Sequence, residues 1–156
     1  MKIGGCRNGG FVNDAGQNNP TYEFYPTRGA PVQMNMLLQT LPANLYPLTW
    51  LLPSGKLLIQ ANRATILFDF NANQETPLDD MPDAVRVYPA SAGTIMLPLT
   101  PANQWTATVL FCGGSNVAND QCVFRRVGEL ILTFFLDGTI QTLCLSDNRR
   151  PLPVSG

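Results

Sequence analysis

This sequence predicts an all-β fold, a β-propeller fragment of two to three consecutive blades built as four-stranded antiparallel sheets. Three observations carry the prediction. Charge is scarce: 13% of the 156 residues are charged and 45% are hydrophobic, against about 25% charged in an average domain. Thirteen glycines and thirteen prolines punctuate the chain, which favours many short elements over long helices. Finally, a pattern repeats. "NLYPLTWLLPSGKLLIQAN" (44–62) is echoed by "RVYPASAGTIMLPLTPANQWTATVLFCGG" (86–114), with the pairs Tyr46-Pro47 and Tyr88-Pro89 lying 42 residues apart. Each copy runs through an apolar strand, a turn, a second apolar strand and a stop of small residues. Four strands in roughly 40 to 50 residues is the spacing of a propeller blade.

The elements follow in order. Ile3-Gly4-Gly5 reads as the tail of an earlier copy, so the chain opens in mid-blade. The stretch "MNMLLQTL" (34–41) is the one helix candidate; eight residues long before Pro42, it reads as extended or as a single turn. The hairpin around Pro53-Ser54-Gly55 lacks the apolar–polar alternation of a half-exposed strand. Apolar residues on both faces mean burial on both faces. Trp50, Leu52, Leu57 and Ile59 are expected to face one neighbour, and Leu51 and Leu58 the other. A two-sheet sandwich also gives short apolar runs, so both architectures stay open on spacing alone. Thr65 to Phe70 is β-branched and aromatic and ends in the turn composition "NANQ". Trp105 to Cys112 is a further strand, stopped by Gly113-Gly114. Leu130 to Leu136 and Thr139 to Leu145 flank Asp137-Gly138, a hairpin signal. Gly114 lies 24 residues ahead of the turn glycine Gly138, whereas Gly5 lies 50 ahead of Gly55. The outer strands between them are therefore expected to be missing or much shortened, with Leu136-Asp137-Gly138 echoing Pro53-Ser54-Gly55. The closing "PLPVSG" carries no further strand.

Composition excludes several functions. The formal net charge is -1, with ten basic residues scattered among eleven acidic ones. That does not supply the clustered cations that nucleic acid requires. The doublets Arg125-Arg126 and Arg149-Arg150 read as solvated surface. No run approaches the ~20 apolar residues of a membrane span. "MKIGGCRNGG" has no apolar h-region, so no signal peptide is expected at this N-terminus. The four cysteines (Cys6, Cys112, Cys122, Cys144) form no CxxC pair, which weakens a zinc reading. Cys112 and Cys122 could close a short loop as a disulfide, a matter of geometry. Asp79, Asp80 and Asp83 read as a solvated turn, because calcium takes six or more oxygens from an ordered loop. Gly9-Gly10 and Gly113-Gly114 precede no helix and are not phosphate cradles. Most decisive, the chain has no histidine. A Ser-His-Asp triad, a Cys-His dyad and any His-ligated metal site are excluded within it.

The wording of the repeats is more specific than their spacing. "GGCRNGGFVN", "NNPTYEFYP", "TLPANLYPLTWLLPSGKLLIQAN" and "RVYPASAGTIMLPLTPANQWTATVLFCGG" occur in this order from the N-terminus to about Gln121. Together they resemble the glyoxal oxidase family, fungal and plant relatives of galactose oxidase whose catalytic domain is a propeller of Kelch-like blades. The resemblance divides the chain into a family-like propeller segment, 1–121, and a divergent, shortened blade and tail, 122–156.

That resemblance implies a copper radical oxidase, typically secreted, which oxidises aldehydes or alcohols with O2 and releases hydrogen peroxide. Its copper is held by two histidines and two tyrosines, one tyrosine being cross-linked to a cysteine. Neither imidazole can be matched here. In the family the cross-linked cysteine and tyrosine precede the "GGxxNGG" element, which begins at Gly4 in this chain. The second tyrosine precedes a histidine, and none of Tyr22, Tyr25, Tyr46 and Tyr88 has that neighbour. Tyr46 and Tyr88 open blades and are read as packing residues. Cys6 follows the glycine pair, the wrong place for the cross-link. Arg7 stands nearest the position where galactose oxidase carries a shielding aromatic, so the shield is unmatched. No catalytic, cofactor-binding or metal-binding residue is therefore assigned, and no cofactor is expected in this chain. The small aldehyde substrate belongs to the intact family. The expected partner is another copy, through exposed blade edges.

Overall fold

The computed structural model describes residues 1–8, 16–41, 43–81, 85–86, 92–114, 129–136 and 139–146. Three antiparallel sheets succeed one another along the chain. The first has three strands, β1 (Lys2–Ile3), β2 (Thr21–Glu23) and β3 (Val32–Gln33), in that order. The second is β4 (Leu48–Leu51), β5 (Leu57–Ala61), β6 (Ala64–Asp69) and β7 (Gln74–Pro77), again in sequence order. The third is β8 (Ala92–Met96), β9 (Thr108–Gly113), β10 (Glu129–Leu136) and β11 (Thr139–Ser146). Among the described residues helix is confined to α1 (Asn35–Gln39) and one 3-10 turn at Pro101–Asn103. The all-β prediction holds, and the two larger sheets have the strand number and up-and-down order of propeller blades.

Local chemistry sets the turns. Gly55 takes φ 81° in the β4–β5 turn, Asn62 takes 56° between β5 and β6, and Asn73 takes 51° between β6 and β7. Glycine and asparagine are the residues that enter this left-handed region at least cost. The short helix α1 is held from a distance. Met34 at its N-terminus offers no side-chain cap. The Glu75 carboxylate instead accepts from the backbone N–H groups of Asn35 and Met36, each at 2.8 Å.

The inner strands β5 and β6 of the second sheet are covered on both faces, whereas β4 leaves Leu51, expected to face a neighbour, 61% exposed. Ile59, Ala61, Ile66 and Phe68 join Tyr22, Met34, Met36 and Leu37 in one core cluster, which lies against the first sheet and α1. Leu48, Leu52 and Leu58 join Met81, Val109 and Phe111 in a second cluster, against the third sheet. Leu58 and Ile59 are adjacent in β5, point to opposite faces and are both 0% exposed. A two-sheet sandwich leaves the outer face of each sheet to solvent. Inner strands buried on both faces are the arrangement the missing alternation required.

Three sequence expectations change. The face assignment around the hairpin followed the wrong parity. In the register Trp50 pairs with Leu58 and Leu51 with Leu57. Directly paired residues share a face, so Trp50, Leu52 and Leu58 go with the second cluster, while Leu57 and Ile59 go with the first. The other change concerns 129–146. β10 pairs with β9 through Leu132–Cys112, Phe134–Leu110 and Leu136–Thr108. The β10–β11 hairpin thus supplies the third and fourth strands of the third sheet. The expected loss of outer strands is not observed: the β10–β11 connection takes the place of the β6–β7 turn rather than of the β4–β5 turn, and Asp137-Gly138 itself lies outside the described residues. Trp105 also lies outside its expected strand, at φ 60° in the turn before β9.

Candidate functional site

Two seams join the sheets, and the same repeat elements build both. At the first, Gly4-Gly5 ends β1 against Leu45-Tyr46-Pro47. The Gly5 N–H donates to the Leu45 carbonyl at 2.7 Å, and the Gly4 N–H donates to the Thr21 carbonyl at 2.9 Å. Gly4 sits at φ +68°, and a Cβ there would stand 3.0 Å from Pro47 Cδ and 3.1 Å from the Leu45 oxygen. Only glycine permits both the backbone conformation and the close approach. Behind this seam lies a buried polar group. Asn18 Nδ2 donates to Asn44 Oδ1, and Asn44 Nδ2 donates to the Leu37 carbonyl and, at 3.2 Å, to Thr40 Oγ1.

At the second seam Ala61-Asn62 takes the place of the glycine pair, and Arg86 takes the place of Asn44. The Arg86 N–H donates to the Asn62 carbonyl at 2.9 Å. Its Nε donates to the Gly113 carbonyl at 3.0 Å, with the side chain fully buried. A buried guanidinium is tolerated only when hydrogen-bonded, and here it ties the end of β9 to the seam. Trp50 adds a cross-sheet bond, Nε1 donating to Thr94 Oγ1 at 3.3 Å. Sequence reasoning singled out the Tyr-Pro pairs and passed over Arg86. The available signal was a cation two residues ahead of Tyr88, where the first copy carries Asn44.

A cleft of about 490 Å3 opens beside the first seam. Ile3, Phe24, Leu57 and Phe70 line it and also pack on the cluster between the first two sheets. Arg28 stands at the cleft with its Cζ 4.7 Å from the centroid of the Phe24 ring, a cation–π contact. Tyr25 is 92% exposed and Leu51 61% exposed at its border. Among the described residues the lining contains no carboxylate and no thiol. It can hold an apolar or extended ligand and offers no acid–base pair.

The residues named from sequence scatter. Tyr22 is buried in the core, its hydroxyl donating to Asn73 Oδ1 at 2.8 Å. Burial, then the nearby Glu75 carboxylate, pushes its pKa up from 10.0. Tyr46 is half-buried at the first seam, near Gly5. Cys6 is half-buried, its thiol 3.8 Å from Gln17 Oε1. Arg7 is exposed, as are Asp79 and Asp80. Cys112 is a free, half-buried thiol. Tyr88, Asp83, Cys122, Gly9-Gly10, Arg125-Arg126 and Arg149-Arg150 lie outside the described residues. Among the described residues no three His, Cys, Asp or Glu side chains converge as a metal site. The donors present do not fit a copper held by two imidazoles, because the chain has no imidazole to offer.

Comparison with known proteins gives a consistent result. The family model for the glyoxal oxidase N-terminus matches residues 8–127. An aldehyde oxidase GLOX from Vitis pseudoreticulata is 33% identical over 115 residues, covering 69% of this chain and 21% of the relative. A WSC domain-containing protein from Arthroderma benhamiae is 34% identical over 126 residues, covering 74% of this chain and 14% of the relative. Aldehyde oxidase GLOX1 from Arabidopsis thaliana is 39% identical over 79 residues, covering 46% of this chain and 12% of the relative. The chain thus spans about a fifth or less of the length of these curated relatives. No solved structure matches it.

Proposed function

This chain belongs to the glyoxal oxidase N-terminal family, and we propose that it forms part of the Kelch-like propeller scaffold of a copper radical oxidase without catalysing by itself. Residues 1–121 are the family-like segment and 122–156 the divergent one. The histidine count carries the reading: a scaffold with no imidazole supplies neither histidine ligand of the family's copper. The glycine seam, the blade-sized sheets and the doubly covered inner strands of the middle sheet give these residues a packing role. In the intact enzyme the chemistry would be oxidation of a small aldehyde, with O2 and water consumed and a carboxylic acid and hydrogen peroxide formed; copper and a Cys-Tyr radical held by residues other than these would supply it. The proposed location is extracellular, as for the family. Among the described residues no helix is long and apolar enough to cross a membrane.

Incubating the purified chain with Cu(II), methylglyoxal and O2 tests this. Peroxide release is expected to equal that of copper alone. Sustained turnover by the chain would overturn the reading.

A second reading, a non-catalytic interaction module, is favoured by apolar exposure on the third sheet and its turns. Ile95 is 55% and Trp105 56% exposed, and exposed apolar patches promote association. Light scattering across a concentration series then shows mass rising above 17.1 kDa. A monomer at every concentration counts against it.

A further inference from the structure

Gln60 and Thr65 are paired directly across β5 and β6. Gln60 also pairs with Leu48, a member of the second core cluster. Directly paired residues share a face, so both side chains point toward the third sheet, into the second seam. Gln60 is 0% and Thr65 1% exposed. The Gln60 amide is oriented by its nitrogen: Nε2 donates to the Asn62 carbonyl at 2.8 Å. Turning the amide over would set two oxygens against each other, so Oε1 points away from Asn62. Neither Gln60 Oε1 nor Thr65 Oγ1 meets a hydrogen-bond partner among the described residues. Buried polar atoms are nearly always hydrogen-bonded, to protein or to ordered water. Two such oxygens on one directly paired couple, on one face, mark a single site. At the first seam the corresponding polar group closes on itself, because Asn44 Nδ2 reaches the Leu37 carbonyl and Thr40 Oγ1 directly.

We propose that the second seam binds one internal water molecule, which bridges Gln60 Oε1 and Thr65 Oγ1. The water donates one hydrogen to Gln60 Oε1, which can only accept. Toward Thr65 it donates or accepts, because a hydroxyl does both. Buried waters make about two to four hydrogen bonds, and the two oxygens supply the first two. The molecule extends a hydrogen-bonded chain already in place. The Asn62 carbonyl accepts from the Arg86 N–H at 2.9 Å and from Gln60 Nε2. Through the Gln60 amide and the water, that chain runs on from β5 to β6. A cation is the rival ligand for two oxygens. It is disfavoured, because the fully buried Arg86 side chain already places a positive charge on the same seam, and buried charges are poorly screened. A calcium ion would also need six or more oxygens. The family reading does not depend on this water.

High-resolution crystallography of the full chain reads the site directly. One density peak is expected within about 2.5–3.0 Å of both oxygens. In solution, the Thr65 methyl group should give an NMR cross-peak to water, with the sign of a molecule that tumbles with the protein. Thr65→Val keeps the shape of the side chain and removes its hydroxyl, and both the density peak and the cross-peak should be lost. Thr65→Ser keeps the hydroxyl and should keep the density peak, so the test stands even if the valine variant does not fold. Direct contact between Gln60 Oε1 and Thr65 Oγ1, with no density bridging them, overturns the proposal. So does a water that persists unchanged in Thr65→Val. An anomalous peak at the site after soaking in rubidium chloride also overturns it, because the ligand would then be a cation.

Discussion

Replacing Gly4 by alanine attacks the first seam at its tightest point. Gly4 has φ +68°, and the new methyl group would meet Pro47 Cδ at 3.0 Å and the Leu45 carbonyl at 3.1 Å. The left-handed backbone alone costs an L-residue about 1–2 kcal/mol. Forcing a methyl group into a packed contact adds about 1–3 kcal/mol. The Leu45 oxygen cannot yield easily, because it already accepts the Gly5 N–H at 2.7 Å. The expected loss is about 2–5 kcal/mol, large against the 5–15 kcal/mol of a typical domain. Gly55 is the control: its φ is +81° and a Cβ there meets nothing within 4 Å. Gly55→Ala should therefore cost only the backbone term, about 1–2 kcal/mol. Urea unfolding reads the difference, and with m of ~2 kcal/mol/M Gly4→Ala shifts the midpoint by about 1–2.5 M. Equal midpoints for Gly4→Ala and Gly55→Ala would refute the close approach of the seam.

Other outcomes follow from the Tyr22–Glu75 neighbourhood. The pKa of Tyr22 is raised by burial and by Glu75, so the folded state holds its proton more tightly than the unfolded chain. That stability is fully present below pH 10.0 and is lost as pH rises through the folded pKa. Melting temperature should fall above pH 10.0 more steeply for the parent than for Tyr22→Phe; identical slopes would remove Tyr22 as the cause. Glu75→Gln keeps one acceptor at the start of α1 and loses the charge, with an expected cost of about 0.5–1 kcal/mol by chemical denaturation. The same variant should lessen the loss of stability at alkaline pH, since a carboxylate that disfavours tyrosinate is gone and the Tyr22 pKa moves back toward its unfolded value.

Local chemistry made much of this fold legible. Pro53-Ser54-Gly55 and "NANQ" each mark a turn that joins neighbouring strands. Small-residue stops closed β1 and β9, and the apolar run of β5 announced burial on both faces, while β4 leaves Leu51 exposed. What escaped is set by pairing across distance. The faces of Trp50 and Leu52 depend on the Trp50–Leu58 register, and moving a strand by one residue exchanges its faces. The place of β10 and β11 depends on their pairing with β9, which no turn dipeptide encodes. The helix at Asn35 depends on a carboxylate forty residues away. At the site, the absence of histidine was readable by inspection, and so was the departure from the copper ligand set. The cleft was not readable, because it arises where Phe24, Leu51 and Phe70 of separate strands and turns converge.

The central claim is that the β4–β7 sheet is a blade held between neighbours on both faces, a scaffold unit rather than one layer of a sandwich. Leu58 and Ile59 test it directly, being adjacent, fully buried and in opposite clusters. Urea unfolding of Leu58→Ala and Ile59→Ala is predicted to show comparable losses, about 2–5 kcal/mol each. A near-neutral result for either substitution, with the other costly, would mean that one face is not covered and would contradict the account.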